Sequence, residues 1–294
     1  MRIIYFVKKI IGFTVMFCII ITSAAFSDTT SDHKIGLKIA GGISNLSGTD
    51  YDASDWGWDY LRKVTMENQG GTYAWEQNSL DWGWEMAGEI IFNLSSRFAL
   101  SGGVGFITGN SNSKGTTVLE GVTTINETDL KAKAVPLTAG IYYFLPVSPK
   151  SRLSLGVGVG YYFASFSRNY VNEDVGIYRI DGVFKGSGGD LGLHGGIGFE
   201  YDLSKSVVIV IEGFGRYAKI SGFEGTREQI DSNNWSDTWE GKYYYSDRQH
   251  SSDILLPRVN LTDPSSIGNA INIRDYETDF SGFTIRIGLK IRIF

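Results

Sequence analysis

Asp279-Phe-Ser-Gly-Phe-Thr-Ile-Arg-Ile-Gly-Leu-Lys-Ile-Arg-Ile-Phe294 closes the chain, and its reading decides the fold. One parity carries Phe283, Ile285, Ile287, Leu289, Ile291 and Ile293; the other carries Thr284, Arg286, Gly288, Lys290 and Arg292. A period of two predicts a β-strand with one apolar and one polar face. In a water-soluble protein the apolar face turns into a core. In a membrane barrel it turns out to lipid and the charged face lines the lumen.

The same alternation recurs upstream. Apolar rows run through Leu37 to Ile43, Trp84 to Phe92, Phe98 to Phe106, Val135 to Tyr143, Leu153 to Phe163, Leu191 to Tyr201 and Val207 to Tyr217. The opposite rows are mostly Gly, Ala and Ser with a few charges. A surface facing water normally carries many Lys and Glu, so these small residues do not suit the outside of a soluble lipocalin-like barrel. They suit the crowded interior of an eight-stranded barrel, which side chains just fill. Pro136 interrupts one strand pattern and predicts a bulge there.

Connections alternate in length. Long polar segments are expected at 45–83, 109–129, 169–188 and 221–278, and tight turns at 95–97, 146–151 and 202–205. Short turns at one end and long loops at the other are the outer-membrane pattern. The expected fold class is therefore all-β: an eight-stranded antiparallel up-and-down transmembrane β-barrel with long extracellular loops. Composition agrees, with 37 Gly, only 5 Pro and 14% aromatic residues in 294.

The N-terminus reads as an export signal. Arg2, Lys8 and Lys9 precede a 12-residue apolar run, Ile10 to Ile21, and small residues at Ser23 to Ser27 offer a cleavage site. Twelve apolar residues fall short of the roughly 20 that a spanning helix needs. Residues 1–27 are assigned to the signal peptide and 28–294 to one barrel domain. The single cysteine, Cys18, falls inside the signal, which leaves a mature chain without thiol or disulfide chemistry. Losing three bases moves the formal charge from −5 to −8, an acidic balance that disfavours nucleic-acid binding.

The chain resembles the small bacterial outer-membrane barrels of the OmpA/OmpX/opacity type. Gly36-Leu37-Lys38-Ile39-Ala40-Gly41-Gly42, Glu212-Gly213-Phe214-Gly215-Arg216-Tyr217 and Ser281 to Phe294 carry the likeness. The resemblance implies residence in the cell outer membrane. It also implies contact with outer-membrane lipid and lipopolysaccharide, and a C-terminal aromatic, Phe294, read by the barrel-insertion machinery. Phe294 is out of phase with Leu289, Ile291 and Ile293, which departs from the usual pattern.

Candidate functional residues fall in two groups. The inward parity gathers Lys38, Glu85, Glu89, Glu200, Glu212, Arg216, Arg286, Lys290 and Arg292, with His194. Closure of the barrel brings the last strand against the first, so Lys38, Arg286 and Lys290 should meet at that seam. Enclosed charges must pair or hold water. A salt-bridged plug is favoured, with a narrow solute channel as the alternative.

The second group lies in the first and fourth loops, which closure also makes neighbours. Trp56, Trp58, Trp75, Trp235 and Trp239 are expected to pack into an ordered cap with Tyr243, Tyr244 and Tyr245, or to bind a glycan or protein ligand. Trp82 and Trp84 suit an interfacial aromatic girdle. The first loop has seven acids against two bases, and residues 221–279 hold eleven against five, so the outer surface reads as acidic.

Asp50, Asp52, Asp55 and Asp59 loosely imitate a calcium loop but lack its Gly and terminal Glu, and no metal or other cofactor is expected. Gly156 to Gly160 lacks the following helix that a nucleotide fingerprint needs. Catalytic material is thin. His250, with Asp247 and Asp253 three residues to either side, keeps open a rim hydrolase of the omptin type, whose barrels have ten strands. The reading adopted is a non-enzymatic, monomeric surface barrel serving envelope stability or partner binding.

Overall fold

The computed structural model describes residues 34–251, 254–261, 265 and 269–293. The expected signal peptide and the terminal Phe294 lie outside these residues.

Eight strands form the wall: β1 (Ile35–Asn45), β2 (Trp82–Asn93), β3 (Phe98–Leu119), β4 (Val122–Ser148), β5 (Ser151–Asp174), β6 (Tyr178–Asp202), β7 (Val207–Tyr217) and β8 (Gly282–Ile293). Each pairs antiparallel with its sequence neighbour, and β8 returns to pair with β1 from Ile35↔Ile293 to Ser44↔Thr284. The ring is closed and no wall strand keeps a free edge, which satisfies the backbone without water.

The parity is as the sequence predicts. Ile39, Trp82, Trp84, Met86, Leu191 and Ile287 are all more than 60% exposed on the outer face. Lys38, Glu85, Glu200, Arg286 and Lys290 are 5% exposed or less on the inner face. An outer face that is apolar and an inner face that is ionic is the reverse of a soluble core, and a bilayer is the solvent that accommodates it.

Three short turns close one end, each organised by a serine hydroxyl. Ser95 Oγ accepts from the amides of Arg97 and Phe98, and Ser204 Oγ from those of Ser206 and Val207. Ser148 Oγ accepts from Lys150 N. Such side-chain bonds replace a backbone turn bond and favour a tight reversal.

The other end departs from expectation at two loops. Segments 109–129 and 169–188 are not loops but continuations of the wall. Strands β3 to β6 run 22, 27, 24 and 25 residues, at least twice the 9–11 of a membrane span. Leu119 and Val122 flank a two-residue turn in which Glu120 (φ 52°) and Gly121 (φ 84°) are both left-handed, the geometry that matches hairpin twist. Asp174 and Tyr178 flank a three-residue turn with Gly176 at φ 77°. Nor does Pro136 make a bulge: Val104↔Leu137 and Ile107↔Ala134 hold the same register on either side of it.

The first and fourth connections are also structured. Residues 50–68 form helix α1 (Asp50–Asn68) and Thr72–Asn78 pairs with β3 above the membrane. In the fourth connection Glu224–Asp231 and Ser236–Lys242 form a hairpin that extends the sheet beyond β6, and Tyr244–Ser251, Ile254–Asn260 and Ala270–Asp275 make a separate three-stranded sheet. Short pairings of Lys219–Ile220 and Gly48–Thr49 with Thr278–Asp279 tie the two connections together, as closure of the ring requires. These pieces form an extracellular crown over an eight-stranded ring.

Candidate functional site: the ionic lumen and the crown

Register explains how the lumen is wired. Lys38 sits opposite Glu89 on β2 but opposite Lys290 on β8, and like charges facing each other across a ladder are unfavourable. The two lysines resolve this by turning to different acids. Lys38 Nζ is 2.6 Å from Glu212 and 3.0 Å from Glu89, while Lys290 Nζ reaches Glu200 at 2.5 Å.

Nearer the crown, Arg216 donates to Glu85 at 2.6 Å, to the Phe280 carbonyl at 2.7 Å and to Ser44 Oγ at 3.0 Å. Arg286 bridges Glu85 at 3.1 Å and Glu212 at 2.8 Å, with its guanidinium over Phe214 at 4.1 Å. The structure thus brings together eight of the nine lumen residues expected from sequence, four cations with four carboxylates, all 9% exposed or less. Arg292 stands apart near the short-turn end, paired with Asp202 at 2.6 Å.

Sequence reasoning missed several members of this network. Tyr142 accepts from Lys38 Nζ at 2.9 Å and donates to Glu89 at 2.8 Å. Thr284 donates to Glu85 at 2.9 Å, and Arg152 donates to Glu200 at 2.7 Å while lying over Phe144. Tyr142 shares the parity of Gly140 and Thr138, so strict alternation identifies it. His194 faces inward, stacked on Phe214 at 5.2 Å, with Gly158 opposite. A Cβ on Gly158 would come within 2.4 Å of the imidazole, so only glycine gives the ring its place. Between these side chains a cavity of about 40 Å³ remains, enough for one or two waters.

The crown is built on a different core from the one expected. Tyr51, Phe166, Phe223, Tyr243 and Tyr276 pack with ring centroids 5.0–6.1 Å apart. Of the five tryptophans, Trp56 and Trp235 are each 52% exposed, while Trp58, Trp75 and Trp239 are half-buried, Trp239 against that core. Trp56 stacks on Tyr60 on the outer surface of α1. Tyr243 joins the core as expected; Tyr244 and Tyr245 are only half-buried.

Helix α1 begins at a capping box. Thr49 accepts from Tyr51 N, and Asp52 accepts from Thr49 N at 3.1 Å and also from Leu80 N at 3.3 Å. Burial pushes the Asp52 carboxyl up to about 6, against the hydrogen bonds that lower it. Burial likewise raises Asp50 and Asp59. The four acids that imitate a calcium loop are spent on separate partners. Asp50 accepts from Arg274 and Glu277 N, and Asp55 from Arg168 and Thr128. Asp59 accepts from Tyr73 and Ser113. Of the rim-hydrolase residues, Asp247 accepts from Tyr245 and Asn272; the His250 side chain and Asp253 lie outside the described residues.

A family model for the outer membrane protein beta-barrel domain matches residues 13–238. The chain belongs to that family. It is an outer-membrane β-barrel protein, and the exposed apolar belt is the part of the wall that crosses the membrane. Solved barrels similar in fold include the outer membrane protein OprG of Pseudomonas aeruginosa, at 12% identity and TM-score 0.38 over 89% of this chain and 97% of that one. A major outer membrane protein of Thermus thermophilus aligns at 13% identity and TM-score 0.42, over 89% and 100%. The outer membrane protease OmpT of Escherichia coli aligns at 11% and 0.37, over 92% and 100%. No curated protein sequence matches the chain.

Proposed function

We propose that this barrel is a non-enzymatic surface protein whose lumen is closed by ion pairs and whose crown serves partner binding or envelope stability. One observation carries the reading: the four inward carboxylates Glu85, Glu89, Glu200 and Glu212 each hold a cation within 3.1 Å, across a bore that leaves room for only a water or two. A conducting path needs side chains that hydrate passing ions, and side chains bonded to one another do not. Breaking a buried pair costs several kcal/mol, so the closed arrangement is also the stable one. The tall crown supports the second half of the reading, because its strands extend well beyond what membrane anchoring requires.

The test is single-channel recording in planar bilayers with the refolded full-length chain. Closed traces at ordinary voltages are expected. Steady, reproducible conductance steps would replace this reading with the narrow solute channel.

A further inference from the structure

The crown holds a second, open cavity, of about 400 Å³, between α1, the extended faces of β3 to β6 and the two added sheets. That is within the range of small-ligand sites. Its charged lining is Arg62, Arg168, Arg227 and Arg258 against Asp55 and Asp59, a surplus of two positive charges inside loops that are acidic overall.

Three of the four arginines are held by rings, and Arg62 pairs with Asp59 at 3.7 Å. Arg168 lies over Tyr51 at 4.6 Å, Arg227 over Phe184 at 5.1 Å and Trp239 at 4.8 Å, and Arg258 over Trp58 at 4.2 Å. Stacking occupies the face of a guanidinium and leaves its N–H edge for an acceptor. Some of that edge is in use: Arg168 Nη2 donates to Asp55 and Arg227 Nη2 to Gln229. The Nε donors of Arg168, Arg227 and Arg258 are nevertheless buried without a hydrogen-bond partner, and so is the hydroxyl of Tyr51, a residue only 3% exposed. Burial, and then the charge of Arg248, hold the Arg258 guanidinium below the ordinary arginine value.

Unspent donors beside a cationic cavity call for acceptors carrying negative charge. Asn126, Asn172 and Asn260 on the same wall add neutral hydrogen-bonding groups suited to hydroxyls. We propose that the crown cavity binds an acidic sugar, one whose carboxylate or phosphate takes the Arg227 and Arg258 edges while its hydroxyls meet the asparagines. The proposal rests on reading the crown as a binding surface. Conductance tests the lumen and a binding measurement tests the crown, so each can fail without the other.

Calorimetric titration of the refolded full-length chain in detergent, with glucuronate, glucose 6-phosphate and glucose as probes, decides it. At least one of the acidic sugars should bind saturably and more weakly as salt rises. Which of the two binds identifies the carboxylate or the phosphate as the anion. Arg227→Gln and Arg258→Gln should each weaken that binding roughly tenfold, the scale of one charge-assisted hydrogen bond. Arg179→Gln, at the exposed β5–β6 hairpin and bonded to Asp181 and Glu173, should leave it unchanged. Heat-modified gel migration reports that every variant has kept its barrel. Glucose binding as tightly as the acids, heats absent for all three probes, or affinity unmoved by both cavity variants in folded barrels would each overturn the proposal.

Discussion

The lumen and the crown cavity are both rich in arginine, yet they treat charge in opposite ways. In the lumen each of the four carboxylates holds a cation at close range, Arg152 adds a fifth cation at Glu200, and the remaining space holds little more than a water. In the crown, arginines outnumber acids, aromatic rings hold the guanidiniums, and about 400 Å³ stays open. A charge network whose carboxylates are all paired across a filled bore is a structural device, even with Arg286 Nε and His194 Nδ1 left without a partner. One whose arginines outnumber its acids by two, beside a cavity ten times larger, has capacity for a ligand. The same side chain therefore has different meanings at two heights of one wall, and partner balance separates them better than residue type does.

The sharpest way to break the comparison is to unbalance the lumen. Glu85 accepts from Arg216, Arg286 and Thr284 at once. Glu85→Ala leaves two buried guanidiniums short of a counter-charge, which should cost roughly 3–5 kcal/mol of stability. Urea unfolding of the refolded barrel, followed by gel migration, measures it. A loss below about 1 kcal/mol would mean that water takes over the carboxylate's role, and the lumen would then resemble the crown.

The crown should respond locally instead. Gly57 in α1 lies so close to the fourth connection that a Cβ there would sit 2.7 Å from Pro257 Cδ. Gly57→Val should force helix and loop apart at a cost of about 1–3 kcal/mol, the usual range for overpacking. Because the wall carries its own closed hydrogen bonding, protease should cut within residues 50–80 far faster while urea unfolding of the ring stays put. Simultaneous loss of both would make crown and ring one cooperative unit.

How much of this was legible in the sequence follows from the same division. The ring was readable because lipid on one side and a narrow bore on the other force a strict period of two, and Lys38, Glu85, Glu212 and Arg286 stand where that period puts them. The crown obeys no such constraint. Strands β3 to β6 above the membrane have polar residues on both faces, so their alternation fades and 109–129 and 169–188 read as loops. The signals that did exist were local: Glu120-Gly121 as a two-residue hairpin turn, Gly176 in the next hairpin, and Thr49-x-x-Asp52 as a capping box. The arginine cavity was not legible at all. Arg168, Arg227 and Arg258 come from three separate segments, and only the folded crown gathers them.

The smallest effect is a dependence on pH confined to the crown. Burial lifts Asp52 from the ordinary carboxylate value of 3.8 to about 6. The folded crown therefore keeps a proton that the unfolded segment has already lost. Linkage then makes stability fall as pH rises from about 4 to about 6 and level off above. Asp50 and Asp59, raised in the same direction, add to that slope. Discounted for the water that still reaches Asp52, its share is about 1–2 kcal/mol. Limited proteolysis within residues 50–80 should accordingly be slower at pH 5 than at pH 7.5 in the wild-type chain, and Asp52→Asn should flatten most of the difference. The opposite slope would mean that the amides of Thr49 and Leu80 outweigh burial, and that Asp52 serves the crown as its anion.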